Sequence, residues 1–121
     1  MLNCIAVGIG GFIGSIFRYL VGMIPIKGNS EFPVNTLIIN IAGAFLIGVV
    51  IAIFSRNAEA NETWLLFFKT GICGGFTTFS TFSFETFKLI KNGCIGLALL
   101  YIILSIVLGV TAAYLGMTAF E

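Results

Sequence analysis

Residues 71–83 read Gly-Ile-Cys-Gly-Gly-Phe-Thr-Thr-Phe-Ser-Thr-Phe-Ser and lie in the middle of a long apolar run, Trp64 to Ile90. Eight of these thirteen residues are glycine, serine or threonine, and the pair Gly74-Gly75 is a poor helix interior. Broken helices are tolerated at the middle of a bilayer only where protein or water meets the freed backbone groups. The stretch therefore predicts a membrane span whose helix is interrupted for a functional reason.

Three more apolar runs accompany the interrupted one. A helix needs about 20 residues to cross the hydrocarbon core, and the predicted spans are residues 2–26, 34–54, 64–90 and 94–120. Short polar segments separate them, the first being the turn 27–31. The sequence thus predicts an all-α membrane protein, a single transmembrane domain over residues 1–121 with both termini on one side. The first run lacks a charged leader and is read as a retained span, not as a signal peptide.

The composition supports a membrane protein and argues against other classes. Only 9% of the 121 residues are charged, against about 25% in soluble domains, and the mean hydropathy is +1.12. A net charge of +1 gives no basic footprint for nucleic acid. There is no histidine, and no nucleophile–base pair is visible, so we do not expect an enzyme. Cys4, Cys73 and Cys94 sit in apolar runs and are expected to behave as small hydrophobic residues.

Cationic residues in short loops set the orientation of membrane proteins, and here they are nearly balanced. The termini side would carry Arg56 and Lys69. The opposite side would carry Lys27, Lys88 and Lys91, with Arg18 near it. Two interpretations stay open: a protein that inserts both ways round, and one fixed orientation with the termini outside.

Small and polar residues recur at helical spacing and predict packing faces. They form three sets: Gly10, Gly14, Arg18 and Gly22; Asn40, Ala44 and Gly48; and Tyr101, Ser105, Gly109 and Ala113. Glycines at this spacing let helix backbones approach closely. Asn40 falls near the centre of its span, where an amide must find a partner.

Phe76, Phe79 and Phe82 are spaced by three and would line one side of the interrupted span. Aromatic rings carry a positive edge, so rings turned edge-on suit contact with a small anion. A lipid-facing or core stripe would give the same spacing. The hydroxyls of Ser80 and Thr81, which lie between two of the rings, favour an ion pathway because they are costly in lipid.

Three stretches together resemble the Fluc (CrcB) family of fluoride channels, and the resemblance covers almost the whole chain. The first is 10–14 followed by Arg18-Tyr19. The second is 35–37 followed by Asn40 and Gly43. The third and most specific is 74–83 followed by Glu85.

The resemblance implies a fluoride-selective channel that exports fluoride passively across the plasma membrane of a bacterium. It implies an antiparallel dimer with two pores and a structural sodium ion at the centre, held by backbone carbonyls of Gly74 and Thr77. The residues it assigns to the fluoride pore are Asn40, Phe79, Phe82, Thr81, Ser80, Tyr101 and Ser105. It places Arg18 near a pore vestibule and Glu85 near a pore mouth.

Two positions depart from the family pattern. Asn35 stands where relatives usually have glycine, and Gly109 stands where they often have a second serine of the polar track. Some relatives form heterodimers with a paired homologue in which one pore is degenerate. This chain keeps the pore residues Asn40, Phe79 and Phe82 together with Ser105, so we expect a homodimer with two working pores.

Two other functions fit four short spans. A small multidrug transporter needs a carboxylate within a span for proton coupling, whereas the acids here are expected in loops, at a terminus or, for Glu85, near a helix end. A membrane scaffold, whose helices merely pack, would tolerate isoleucine at Phe79 or Phe82.

Overall fold

The computed structural model describes residues 1–26, 28 and 30–121. Regular structure in these ranges is helical. It comprises α1 (Leu2–Gly22), α2 (Val34–Ser55), α3 (Glu62–Leu66), a π-helical segment (Phe67–Cys73), α4 (Gly74–Phe76), α5 (Phe79–Lys91) and α6 (Ile95–Ala119). Three of these, α1, α2 and α6, are long and apolar enough to cross a membrane. The third crossing is made in two halves: the first half runs through residues 62–76, and α5 is the second half.

The predicted all-α membrane fold with a broken third helix is confirmed. The first span is shorter than predicted, because α1 ends at Gly22 and not at residue 26. Two residues of the first polar turn lie outside the described residues, namely Asn29 and Lys27, which is one of the cationic residues that bear on orientation.

The first half of the third span packs against α1 with the two backbones in direct contact. A Cβ added to Gly10 would lie 2.5 Å from the carbonyl oxygen of Phe67, and one added to Gly71 would lie 2.8 Å from Gly10 Cα. A Cβ on Gly75 would lie 2.5 Å from the carbonyl oxygen of Gly11. The glycine face predicted on α1 is therefore a packing face at Gly10 and Gly14, where only glycine fits, whereas a Cβ on Gly22 would have nothing within 4 Å among the described residues.

The other close helix pair is α2 with α6. A Cβ added to Gly48 would collide with the carbonyl oxygen of Ala113, and one added to Gly116 would collide with that of Phe45. Gly109, in contrast, has open space around an added Cβ within the part of the chain that the structure describes. The predicted small-residue face of α6 thus packs against α2 at the C-terminal end of α6.

The helix break is not at the glycine pair. Gly74 to Phe76 are helical, and the chain leaves the helix at Thr77 (φ −117°, ψ 121°) and Thr78 (φ −128°, ψ 115°). Threonine is β-branched and favours extended backbone. The interruption predicted within residues 71–83 therefore falls at Thr77 and Thr78, while the glycine pair, a poor helix interior by propensity, stays helical and Gly75 serves close packing.

The break also separates the three phenylalanines. Phe76 ends the first half, where its ring lies 3.5 Å from a Cβ built on Gly43, whereas Phe79 and Phe82 belong to α5. A spacing of three defines one face only along a continuous helix, and two extended residues intervene here. The spacing alone therefore does not place Phe76 on the same side as Phe79 and Phe82.

Cys94 also differs from expectation. It is the residue before α6, and its thiol donates a hydrogen bond to Glu31 Oε2 at 3.0 Å. This hydrogen bond, together with desolvation and the charge of the carboxylate, raises the pKa of the thiol. Cys94 is thus a polar link between the first and third loops, in addition to packing against the hydrophobic core as a small hydrophobic residue.

Candidate functional site

Two cavities meet at the break of the third span. The first, about 550 Å³, opens between α1, α2 and α5 and is lined by charged and polar groups that include Arg18, Glu31, Glu85 and Lys88. The second, about 450 Å³, is lined by α2, the break, α5 and α6. Thr78 lines both, so the broken backbone is the wall that the two cavities share.

Side chains hold the broken backbone in place. The amide N–H of Thr78 donates to Asn40 Oδ1 at 2.9 Å, and the Thr78 hydroxyl oxygen accepts from the amide N–H of Thr81 at 3.2 Å. The second bond is an N-cap of α5. Thr77 Oγ1 donates to the carbonyl oxygen of Cys73 at 3.0 Å. Backbone groups freed by the interruption thus find side-chain partners, which is the condition for a break at this depth.

The second cavity gathers neutral hydrogen-bonding groups and aromatic rings. Its lining residues are Asn40, Gly43, Ala44, Ile47, Cys73, Gly74, Thr77, Thr78, Phe79, Phe82, Ser105 and Ile106. None of these twelve side chains is charged. Four of the predicted pore residues, namely Asn40, Phe79, Phe82 and Ser105, are therefore brought together here.

Two polar side chains of this cavity keep unused hydrogen-bonding capacity. Asn40 accepts a hydrogen bond through Oδ1. Its amide nitrogen therefore keeps two N–H donors that this hydrogen bond does not use. Ser105 Oγ is buried and has no hydrogen-bond partner among the described residues. Buried polar atoms are normally paired, so this hydroxyl indicates a ligand or water in the cavity.

The two cavity phenylalanines differ in their surroundings. Their ring centroids are 5.8 Å apart with planes inclined by 40°. The Phe82 ring also lies 5.0 Å from that of Tyr101, which anchors it in the core. Phe79 is 80% exposed in the isolated chain, so its ring stands at the open side of the cavity.

Glu85 lies in the wall of the first cavity and is bound on both carboxylate oxygens. Thr36 Oγ1 donates to Oε1 at 2.6 Å, and the Tyr101 hydroxyl donates to Oε2 at 3.3 Å. Glu85 is also the middle residue of α5, so the expectation that it lies near a helix end was wrong. Glu85 is thus a carboxylate within a span, the group that a proton-coupled transporter needs.

The remaining predicted pore residues take different positions around the break. Thr81 lines the first cavity. Ser80 is exposed, and its hydroxyl oxygen lies 3.1 Å from Thr78 Oγ1. Tyr101 is fully buried beneath Phe82 and reaches the first cavity only through its hydrogen bond to Glu85.

The residues predicted to bind sodium lie at the carbonyl end of the first half. Gly74 and Thr77 both line the second cavity, and Gly74 is exposed in the isolated chain. Carbonyl oxygens at the C-terminal end of a helix segment carry partial negative charge, and sodium is a hard cation that takes oxygen ligands. The residues present therefore fit the ion. Arg18 donates from Nε to the carbonyl oxygen of the intervening Gly75 at 3.1 Å.

The sequence did not single out Thr36, Thr78 or the effect of Asn35. Asn35 Nδ2 donates to the carbonyl oxygens of Val21 at 2.9 Å and Ile24 at 2.8 Å. It therefore satisfies carbonyl groups at the C-terminal end of α1. A hydroxyl or amide at a span's edge is a weak signal by itself, because its partner lies on a different helix.

Comparison with known proteins gives a consistent family match. A family model described as CrcB-like protein, Camphor Resistance (CrcB), matches residues 5–117. A fluoride-specific ion channel FluC from Agrobacterium fabrum is 42% identical over 118 residues, which cover 97% of this chain and 94% of the relative. Proteins of the same name from Ruminiclostridium cellulolyticum and Leptospira interrogans are 46% and 47% identical, over 96% and 94% of this chain and 90% and 91% of their own lengths.

Proposed function

This chain is a multi-pass protein of the bacterial plasma membrane and belongs to the CrcB family, and we propose that it is a fluoride-selective ion channel that exports fluoride passively. The proposed unit is an antiparallel homodimer with dual topology, two pores and a central structural sodium ion. A heterodimer with a paired homologue is the alternative assembly.

The observation that carries this proposal is the chemistry of the second cavity. Its lining is uncharged, yet it offers unused donors from Asn40 and Ser105 beside the rings of Phe79 and Phe82. Conduction requires an ion to bind strongly enough to enter and weakly enough to leave. Fluoride is small and strongly hydrated, so amide, hydroxyl and ring-edge contacts suit it better than a full positive charge, from which release would be slow.

The two cavities suggest the route of the ion. The first cavity is polar, and the cations Arg18 and Lys88 stand there beside the carboxylates of Glu31 and Glu85, so it offers a hydrated entrance in which positive groups are available to an anion. Thr78 and Thr81 lie between this vestibule and the aromatic rings. We therefore propose that fluoride passes from the first cavity along these threonines, loses water beside Asn40, and continues past Phe82 and Phe79 to the partner side.

The exposed side of the second cavity supports the proposed dimer. Phe79 and Gly74 are both exposed in the isolated chain although they lie at mid-span. A second copy placed there would cover the ring and bring two carbonyl ends together. A sodium ion between them would receive ligands from Gly74 and Thr77 of each copy. The ion would neutralise backbone dipoles that otherwise face each other.

Fluoride efflux from liposomes that contain the purified protein tests the proposal. Efflux is followed with a fluoride electrode after the membrane potential is collapsed, with sodium inside and outside, and chloride efflux is recorded from matched vesicles. We expect rapid fluoride efflux with chloride efflux at the level of empty liposomes. Equal chloride and fluoride rates, or fluoride efflux no faster than from empty liposomes, would refute the function.

Proton-coupled transport is tested in the same vesicles. The Glu85 carboxylate lies in the middle of α5. A multidrug exchanger needs a carboxylate within a span for proton coupling. We expect an imposed pH gradient to drive no accumulation of a cationic dye. Accumulation that disappears in Glu85→Gln would favour the exchanger instead.

A further inference from the structure

Breaking the third span leaves a specific carbonyl without its regular partner. In a continuous α-helix the carbonyl of residue 75 would accept the amide N–H of residue 79. Here α4 ends at Phe76 and the next two residues are extended, so the series of helical backbone hydrogen bonds stops. An unsatisfied carbonyl at membrane depth is costly, and its charge adds to the negative end of the first half.

Arg18 supplies the missing donor. Its Nε lies 3.1 Å from the carbonyl oxygen of Gly75, although the two residues are 57 positions apart in the chain. The contact does not depend on a flexible approach, because α1 and the first half are locked together by backbone packing. A Cβ on Gly14 would collide with the carbonyl oxygen of Ile72, and one on Gly75 would lie 2.5 Å from that of Gly11.

Two adjacent glycines at this point have different surroundings. An added Cβ on Gly75 meets α1, whereas one on Gly74 finds as its nearest neighbour the carbonyl oxygen of Lys69, at 3.9 Å, in its own span. Gly74 instead lines the second cavity with Thr77. Backbone packing holds the helix as far as Gly75, and the Arg18 hydrogen bond holds the Gly75 carbonyl where the helix stops. This hydrogen bond therefore acts on the position of the peptide groups on either side of Gly75.

We propose that Arg18 is a positioning residue for the sodium site: its guanidinium ties the Gly75 carbonyl to α1 and thereby presents the flanking carbonyls of Gly74 and Thr77 to the ion. This inference rests on the proposed function, since the sodium ion is part of it. This role differs from that of an anion collector, which the place of Arg18 in the first cavity would suggest. The two roles predict different effects on sodium affinity.

The test is a sodium titration of the full-length protein with two readouts. One is fluoride efflux from liposomes, and the other is the thermal unfolding midpoint in detergent, with N-methylglucamine replacing sodium. The variants are Arg18→Met, which removes charge and donor at similar length, and Arg18→Lys, which keeps the charge. Arg56→Met is the matched control, because Arg56 also donates to a carbonyl, that of Phe120, but at the chain's C-terminal end.

We expect Arg18→Met to raise the half-saturating sodium concentration at least about tenfold in both readouts, since a charge-assisted hydrogen bond is lost. We expect Arg18→Lys to raise it about threefold, because an ammonium keeps the charge without the fixed geometry of Nε. Arg56→Met should leave it unchanged. If Arg18→Met does not fold, the lysine variant decides the matter.

Reduced fluoride efflux with an unchanged sodium midpoint in the Arg18 variants would overturn the inference and leave Arg18 as an anion collector. A wild-type protein indifferent to sodium in both readouts would overturn it together with the sodium site. Sodium-dependent melting without any fluoride efflux would refute the channel function alone, since the shift caused by Arg18→Met would still appear in the melting curves.

Discussion

The two halves of the third span belong to one continuous chain, but they are built for different tasks. The first half meets α1 backbone to backbone through Gly71 and Gly75. The second half, α5, presents hydroxyls, rings and a carboxylate to two cavities. In this span, Gly71 and Gly75 serve close helix packing, and the threonines make the break. Mutations in the first half should therefore affect folding, and those in the second half should affect conduction.

The largest effect is expected from Gly10→Ala in the contact with the first half. The new Cβ would lie 2.5 Å from Phe67 O and 2.9 Å from Gly71 Cα, and neither backbone can yield without moving a helix. Overpacking typically costs about 1–3 kcal/mol, and contact with two backbone atoms places this site at the upper end of that range. The measurement is the yield of monodisperse protein and its unfolding midpoint in detergent.

The matched control is Gly8→Ala on the same helix, where an added Cβ has nothing within 4 Å in the part of the chain that the structure describes. Alanine is the better helix former, so this variant should be at least as stable as the parent protein. Equal losses in the two variants would mean that α1 does not pack closely on the first half.

The next largest effect concerns conduction, through Asn40→Asp. The carboxylate keeps an acceptor for the Thr78 N–H and suits the positive N-terminal end of α5, so the fold should survive. The amide donors are lost, and a negative charge repels the anion. We expect fluoride efflux to fall at least about a hundredfold with an unfolding midpoint near that of the parent. Efflux within a factor of three of the parent would remove Asn40 from the pore.

How far the sequence predicted this molecule depends on whether a signal is local. Four spans and an interrupted third helix follow from hydropathy and from the residues between 71 and 83. The sequence did not specify that the break falls at Thr77 and Thr78 within that stretch, because the role of Gly75 is set by Gly11 on another helix. The π-helical segment Phe67–Cys73 was not predicted either. Its sequence, FFKTGIC, carries no local pattern that differs from an apolar α-helix.

The site was predicted in part for the same reason. Asn40, Phe79, Phe82 and Ser105 were named from the family resemblance, and the structure brings them to one cavity. The hydrogen bonds of Glu85 to Thr36 and Tyr101 join three helices, and no spacing in a single segment encodes them. Roles assigned to individual residues in conduction remain predictions for the experiments described here.

A smaller effect is expected within the second half, where Phe79→Ile and Phe82→Ile form a matched pair. Phe82 packs against Tyr101 at 5.0 Å between centroids, so its loss should cost about 1–2 kcal/mol of stability as well as conduction. Phe79 is largely exposed in the isolated chain and would be covered only by the proposed second copy, so its loss should reduce fluoride efflux with a smaller loss of stability. Unfolding midpoints and efflux are compared for both variants. Equal destabilisation would contradict this difference between the two rings, whereas unchanged efflux in both would favour a scaffold.

The smallest effect should come from Asn35→Gly, which removes the side-chain amide. Asn35 Nδ2 ties the carbonyls of Val21 and Ile24 to α2, and each such bond contributes about 1 kcal/mol. Water in the adjoining first cavity can take over as donor, so we expect a loss of at most about 1 kcal/mol, seen as a slightly lower unfolding midpoint, with fluoride efflux unchanged. Asn35→Asp is the control, since it removes the donor while keeping the shape, and its added charge next to the α1 carbonyls should cost more. If Asn35→Gly instead altered the rate of fluoride efflux without altering stability, the polar wall of the first cavity would take part in conduction, and the division of tasks between a packing half and a conducting half would have to extend to α2.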